Sequence, residues 1–177
     1  MKKVYLSVFF LMTVVLCSSC KSWSIIPQAT NSAGAVSFGE LNLNRSEYLV
    51  YKTISETASV SLKERGSNWE IKEVNGEFSY EFSFDSKAGQ IVFDDIEGVV
   101  KLGYTYNSGS AMFDMTNAGE IARRLAIFRL NNSAKEAGAD YVIEPIVSVD
   151  INQSGRREIT YTATASAKLV KIKKTDD

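Results

Sequence analysis

Two cysteines, Cys17 and Cys20, stand in C-x-x-C spacing and are the only cysteines in the chain. That spacing serves a dithiol redox centre or half of a zinc site. A zinc site takes about four ligands, mostly cysteine and histidine, and this sequence contains no histidine. The same absence removes Ser-His-Asp and Cys-His nucleophilic mechanisms and the commonest general base near neutral pH. A thioredoxin-type dithiol opens a helix beside a sheet, whereas this pair follows an apolar run.

The remaining candidates are carboxylates and aromatics. Phe78, Tyr80, Phe82 and Phe84 alternate with Glu77, Ser79, Glu81, Ser83 and Asp85. The aromatics would stack on sugar or base rings, and the carboxylates would supply the pair that glycoside hydrolysis uses. Period-2 alternation explains both sets more cheaply, as a strand with an apolar core face and a charged solvent face. Asp94, Asp95 and Glu97 crowd near Gly98, but the D-x-D-x-D-G calcium loop is absent. Tyr104, Tyr106 and Phe113 flank a Gly-Ser loop and could line a pocket for an apolar or carbohydrate ligand. Arg124 follows Glu120 by four residues, the spacing of an intrahelical ion pair. Arg123 and Arg129 share that segment, Arg156 and Arg157 sit on a turn, and Asp140 reads as a turn residue. Lys171, Lys173 and Lys174 would touch anionic headgroups or protect a strand end. Phosphate loops, G-x-S-x-G elbows and dinucleotide glycine patterns do not occur.

The elements that must carry these residues begin at the N-terminus. Lys2 and Lys3 precede the apolar run Val4 to Leu16, "VYLSVFFLMTVVL". At about 13 residues it is short of the roughly 20 that span a bilayer and fits the h-region of a signal peptide. The residues alone admit a secretory signal or an uncleaved anchor. "LCSSCK" resembles the lipobox of bacterial lipoproteins. The resemblance implies that signal peptidase II cuts before Cys20, whose sulfur carries diacylglycerol, with palmitate among the acyl chains. Ser18 and Ser19 suit the small positions before the cut. Cys17 departs from the usual Leu, which here lies one residue further back as Leu16. The implied parts are a signal peptide over 1–19, and a lipidated cysteine with a flexible tether over 20–40. A tether of about 20 residues reaches roughly 25 Å as a random coil. The family's sorting rule associates Asp after the cysteine with the inner membrane. Lys21 and Ser22 stand there instead and favour the outer membrane.

Charge narrows the partners. Of 20 Lys and Arg, cleavage removes Lys2 and Lys3, leaving 18 against 21 Asp and Glu, a net charge of −3. A mildly acidic domain has no electrostatic drive toward nucleic acid.

Residues 41–177 suit a single domain. "SEYLVYKTISETASVSL" and "NWEIKEV" read as strands, Asn75-Gly76 as a hairpin turn, and "IVFDDIEGVVKLGYTY" as further strand with a bend at Gly98. One helix is predicted from Asn117 to Ala137, capped by Asn117 with Glu120 in capping-box position and closed by Gly138. Its apolar positions cover a wide arc, so it is expected to be buried along much of its girth. In the final hairpin, Tyr141, Ile143, Val147 and Val149 are expected on one face, and Pro145 marks an edge or bulge. Tyr161, Ala163, Ala165, Ala167 and Leu169 align on the returning strand, forming a trough for the helix. The helix-to-hairpin segment is similar to small uncharacterised bacterial envelope lipoproteins, a likeness that implies no activity.

The expected fold is α+β, one main helix on a predominantly antiparallel sheet. The expected role is a non-catalytic structural or interaction module of the cell envelope, without cofactor or metal, partnered by the bilayer and by another envelope protein. A small-ligand binding module and a carboxylate-dependent hydrolase are the alternatives. Mass spectrometry of the mature N-terminus should find Cys20 as the first residue, bearing acyl chains. Cleavage elsewhere, or an unmodified Cys20, refutes the lipobox assignment.

Overall fold

The structure, a computed structural model, describes residues 28–29, 37–38, 43–104 and 114–173. Among these residues nine strands and one helix follow in order: β1 (Gln28–Ala29), β2 (Ser37–Phe38), β3 (Tyr48–Arg65), β4 (Asn68–Glu73), β5 (Ser79–Asp85), β6 (Gln90–Glu97), β7 (Lys101–Leu102), α1 (Ala118–Glu136), β8 (Tyr141–Gln153) and β9 (Glu158–Ile172). Seven strands form one sheet in the order β2-β8-β9-β3-β4-β5-β6, antiparallel except where β2 runs parallel to β8. β1 and β7 make a separate parallel pair. The fold is therefore α+β, with one helix packed on a predominantly antiparallel sheet. β1 and β2 both fall within the stretch expected to be a free tether, and pairing with β7 and β8 ties them to the domain.

Residue volume decides where the helix lies. Ala163, Ala165 and Ala167 point to one face of β9 and are buried, at 0%, 0% and 3% exposure. Ala58 and Val60 of β3 flank them through the cross-strand pairs Ala58↔Ala163 and Val60↔Tyr161. A methyl group stands out so little from a sheet that a helix backbone can settle close above it. α1 answers with small residues of its own, Ala118, Ala122, Ala126 and Ala134, all buried. Larger side chains, Ile121, Leu125, Ile127 and Leu130, fill the space around the trough. Ile127 at 2% and Asn131 at 2% show the helix buried well beyond its sheet-facing side, as its wide apolar arc requires.

Both helix ends follow their local signals. The Asn117 side chain accepts a hydrogen bond from the backbone N–H of Glu120 at 3.0 Å. Only half of a capping box forms, because the Glu120 carboxylate turns to Arg124, at 2.7 Å, and Arg123, at 3.6 Å. At the other end Gly138 takes φ +68°, the left-handed conformation that stops a helix at least cost in glycine.

One expected face assignment is wrong. Strict alternation puts Tyr141 and Ile143 with Val147 and Val149. A register shift between Ile143 and Ile146, with Glu144 at φ +51°, makes a bulge at Glu144-Pro145. The extra residue flips the parity. Val142, opposite Leu169, is the residue that shares the helix-side face with Val147 and Val149, and it is fully buried. Pro145 has no N–H to give the ladder, which is why the irregularity sits there.

The outer face of the sheet is lined with hydroxyls along β3 and β9: Ser55, Thr57, Ser59 and Ser61 pair with Ser166, Thr164, Thr162 and Thr160. Ser59 and Thr162 hydroxyls hydrogen-bond at 2.9 Å.

The two faces of β9 should respond oppositely to bulk. Ala165→Leu, beneath the helix, is expected to cost about 1–3 kcal/mol through overpacking. Thr164→Leu, one residue away on the outer face, should stay within about 0.5 kcal/mol. Urea denaturation of both variants checks this, and equal effects would place the helix elsewhere.

Candidate interaction surface

The aromatic stripe of β5 divides in two. Phe78 at 3% and Tyr80 at 1% exposure are core, with ring centroids 6.2 Å apart. Phe93, from β6, meets Tyr80 edge-on at 5.9 Å and Phe82 at 6.0 Å. Beyond that row the cover ends. Phe84 is 66% exposed and its cross-strand partner Ile91 is 45% exposed, so the expectation that all four aromatics are core fails at Phe84. The reason is reach. The segment before α1 extends to Tyr80, whose hydroxyl donates to the Met115 carbonyl at 2.6 Å. Phe84 lies four residues further along β5, about 13 Å at the strand rise.

Trp69 of β4, opposite Phe82 on the same face, is 39% exposed and extends the patch. Val92 of β6, 44% exposed, points to the other face of the sheet. β6 is the last strand of the sheet among the described residues, so its outer backbone groups between Gln90 and Asp94 meet no neighbouring strand there. Scattered apolar side chains are ordinary on protein surfaces; a contiguous group on an unpaired strand edge is not.

The carboxylates do not converge. Glu81 and Asp94 are cross-strand neighbours on the sheet's outer face, and Glu97 stands opposite Ser79 on that same face. Glu81 is engaged by Arg65 at 3.9 Å and by the Asn68 amide at 3.5 Å. Asp95 is the bulge residue, at φ +45°. Glu77 is a surface residue paired with Lys101 at 3.6 Å, and Asp85 caps its own turn through the backbone N–H of Lys87 and Ala88. Among the described residues no group of three or more acidic or sulfur side chains is placed to hold a metal ion.

Other candidates find local partners. Asp140 accepts from the backbone N–H of Ile172 at 2.9 Å and pairs with Lys171 at 3.6 Å. Arg157 approaches Glu64 at 3.9 Å, Arg156 is exposed on the β8–β9 turn, and the Lys173 N–H donates to the Glu47 carbonyl. Tyr104 lies under the Arg124 guanidinium, 5.6 Å from the ring centroid. Its proposed companions Tyr106 and Phe113 lie outside the described residues, as do Cys17, Cys20 and Lys174.

Sequence reasoning missed one constellation. Glu73, at the end of β4, is 4% exposed yet ionisable. One carboxylate oxygen receives Arg129 from α1; the other accepts the backbone N–H of Glu77 at 3.0 Å. Arg129 also donates to the Thr57 carbonyl at 2.6 Å. A Cβ at Gly76 would sit 1.8 Å from the Glu73 carboxyl carbon, so a side chain there would displace the Glu73 carboxylate from its partners. Glu73, Gly76, Glu77 and Arg129 line a cleft of about 250 Å³ together with Phe78, Lys101, Leu125 and Phe128. Its charges pair with one another, Arg129 with Glu73 and Lys101 with Glu77, so it reads as a clamp between helix and hairpin. The Asn75-Gly76 turn signal lay beside it, but nothing in the spacing tied residue 73 to residue 129.

No family model matches the chain, and neither a curated protein nor a solved structure is significantly similar to it.

Tyr80 gives the site a pH signature. Burial, with the Asp114 carboxylate adding to it, pushes its hydroxyl well above the ordinary tyrosine value of about 10. A raised folded-state value means the neutral phenol supports the fold fully below about pH 10, and that support is lost as the pH climbs further. Tyr80→Phe, which leaves the Met115 carbonyl unpaired, should cost about 0.5–1.5 kcal/mol at pH 7. At pH 11 the gap from the parent should narrow, because only the parent has Tyr80 to ionise. Urea midpoints at the two pH values test this, and a gap that stays constant contradicts it.

Proposed function

We propose that the chain is a bacterial envelope lipoprotein, anchored through acyl chains on Cys20, whose folded domain is a non-catalytic interaction module. The observation that carries the interaction role is the apolar end of the β5–β6 hairpin, where Phe84 and Ile91 are exposed on the helix side and Val92 on the other face, beside a sheet edge with no neighbouring strand among the described residues. Exposed apolar surface of this kind on a strand edge marks a place where another chain adds on. The dispersal of Glu77, Glu81, Asp94, Asp95 and Glu97 over outer faces and loops gives a hydrolase no two carboxylates across a cleft. The anchor rests on the N-terminal residues alone: a basic start, an apolar run too short to span, and "LCSSCK". Two or more acyl chains hold a protein stably on a bilayer, and the absence of Asp after the cysteine favours the outer membrane.

A photo-crosslinking amino acid at Phe84 in intact cells tests the interaction role, with the same group at Thr53, exposed on the outer face, as the control. The expected result is a discrete adduct in the membrane fraction from position 84 and none from position 53. Equal labelling at both sites, or none at 84, rejects the β5–β6 end as the interaction surface.

A further inference from the structure

We infer that the partner at this edge is a second copy of the same chain, joined by antiparallel pairing of β6 with β6 across a two-fold axis at Val92. The inference rests on the reading of the β5–β6 end as an interaction surface and names what binds there. Three features of the hairpin carry it.

The first is face continuity. An axis through Val92 sets Ile91 opposite the Phe93 of the other copy and Gln90 opposite its Asp94. Opposed residues in an antiparallel pair point to the same side. Ile91 and Phe93 both face the helix side, because they pair with Phe84 and Phe82 on β5. Two apolar rows then run unbroken across the junction. Each reads Trp69, Phe82 and Phe93 from one copy, then Ile91 and Phe84 from the other. The exposed pair Phe84 and Ile91 thereby gains the neighbour it lacks in the single chain. A shift of one residue would bring helix-side positions against outer-face positions and break both rows.

The second is charge. β6 is acidic at its C-terminal half, with Asp94, Asp95 and Glu97, while its N-terminal end is near neutral, Lys87 of the turn offsetting Asp85. Antiparallel pairing about Val92 brings the Lys87 end of each copy to the acidic end of the other. It also keeps each Asp94 opposite a neutral Gln90 and away from its own symmetry mate. Parallel pairing would stack acid on acid, which is destabilising.

The third is the contrast between the two edges of the sheet. The β8 edge is capped by β2 at Tyr141 and Val142 and broken by the bulge at Glu144-Pro145, where the proline offers no donor; beyond the bulge Ile146 and Ile151 are also exposed, at 67% each, which makes that stretch the rival edge that the test must exclude. β6 carries neither a neighbouring strand nor a proline among the described residues between Gln90 and Asp94.

The two-fold axis fixes the test. Two Val92 residues facing each other in an antiparallel pair would have Cα atoms about 4.5–5.5 Å apart, inside the roughly 4.4–6.8 Å window of a disulfide. Full-length protein, extracted in detergent, is oxidised as the parent, as Val92→Cys and as Val149→Cys, the last reporting on the β8 edge. We expect Val92→Cys to convert mostly to a covalent dimer while the parent and Val149→Cys stay at background. The parent should scatter light as two chains and Ile91→Lys as one. A parent that scatters as one chain, together with a Val92→Cys that stays uncrosslinked, overturns the inference. A covalent dimer through Val149→Cys instead also overturns it. In either case, a Phe84 crosslink to a different protein would leave the interaction role standing and assign the edge to that protein. Absence of both the Phe84 adduct and the Val92 disulfide removes the surface and its partner together.

Discussion

The rest of the structure depends on how closely a helix can approach a strand. Ala163, Ala165 and Ala167 lower the floor of the sheet along β9, and the alanines of α1 lower the roof. With little side-chain volume between the backbones, the seam is bridged from its flanks. Ile121, Leu125 and Leu130 reach down from the helix, and Val60, Leu169 and Tyr80 rise from the sheet around it. Close-packed interiors tolerate neither extra methylenes nor gaps. Once the trough is set, the helix has one lateral position, and everything on its margins is measured from there. The uncovered end of the β5–β6 hairpin is a direct result. The helix sits where the alanines are, and the outer strands project past it.

A polar contact fixes the helix along its own axis. Glu73 and Arg129 join the end of β4 to the middle of α1, and Glu73 also holds the hairpin turn through the Glu77 N–H. A buried carboxylate is costly to desolvate, and such pairs add less net stability than their geometry suggests. Their value lies in discrimination. A helix slid by one turn would leave Glu73 buried without a partner, the expensive arrangement. Ser133, which donates to Glu56 at 2.6 Å, and Tyr51, which donates to the Ala137 carbonyl at 3.1 Å, repeat the device nearer the helix C-terminus. Alanine packing sets the distance between layers, and these contacts set the register.

Much of this was legible in the residues. The alanine trough, the helix ends at Asn117 and Gly138, the Asn75-Gly76 turn and the Glu120–Arg124 pair are local signals, carried by spacings of a few residues. The failures are non-local or come from a broken period. Alternation alone put Ile143 on the face that Val142 holds, because one extra residue at Glu144 inverts everything before it. Phe84 continued a core stripe by period, yet the strand outran the element that covers it, and a strand's own sequence does not record how far its neighbours extend. The Glu73–Arg129 pair joins residues 56 positions apart, and no pattern links them. β1 and β2 are two residues each, too short to leave a period at all.

One dimension of the fold bears on the proposed membrane anchor. β3 runs 18 residues, which at about 3.3 Å per residue is close to 56 Å from Tyr48 to Arg65. The turns that follow β3, β5 and β8 all lie toward the Arg65 end, as the register of the antiparallel sheet dictates. A 20-residue coil has an average end-to-end distance of about 25 Å, less than half that length, and β1 and β2 take part of it up. Under the proposed anchoring at Cys20, the domain is longer than the average span of its leash. The height of Phe84 and Ile91 above a bilayer would then depend more on the tilt of the sheet, standing upright or lying flat, than on the average span of the chain.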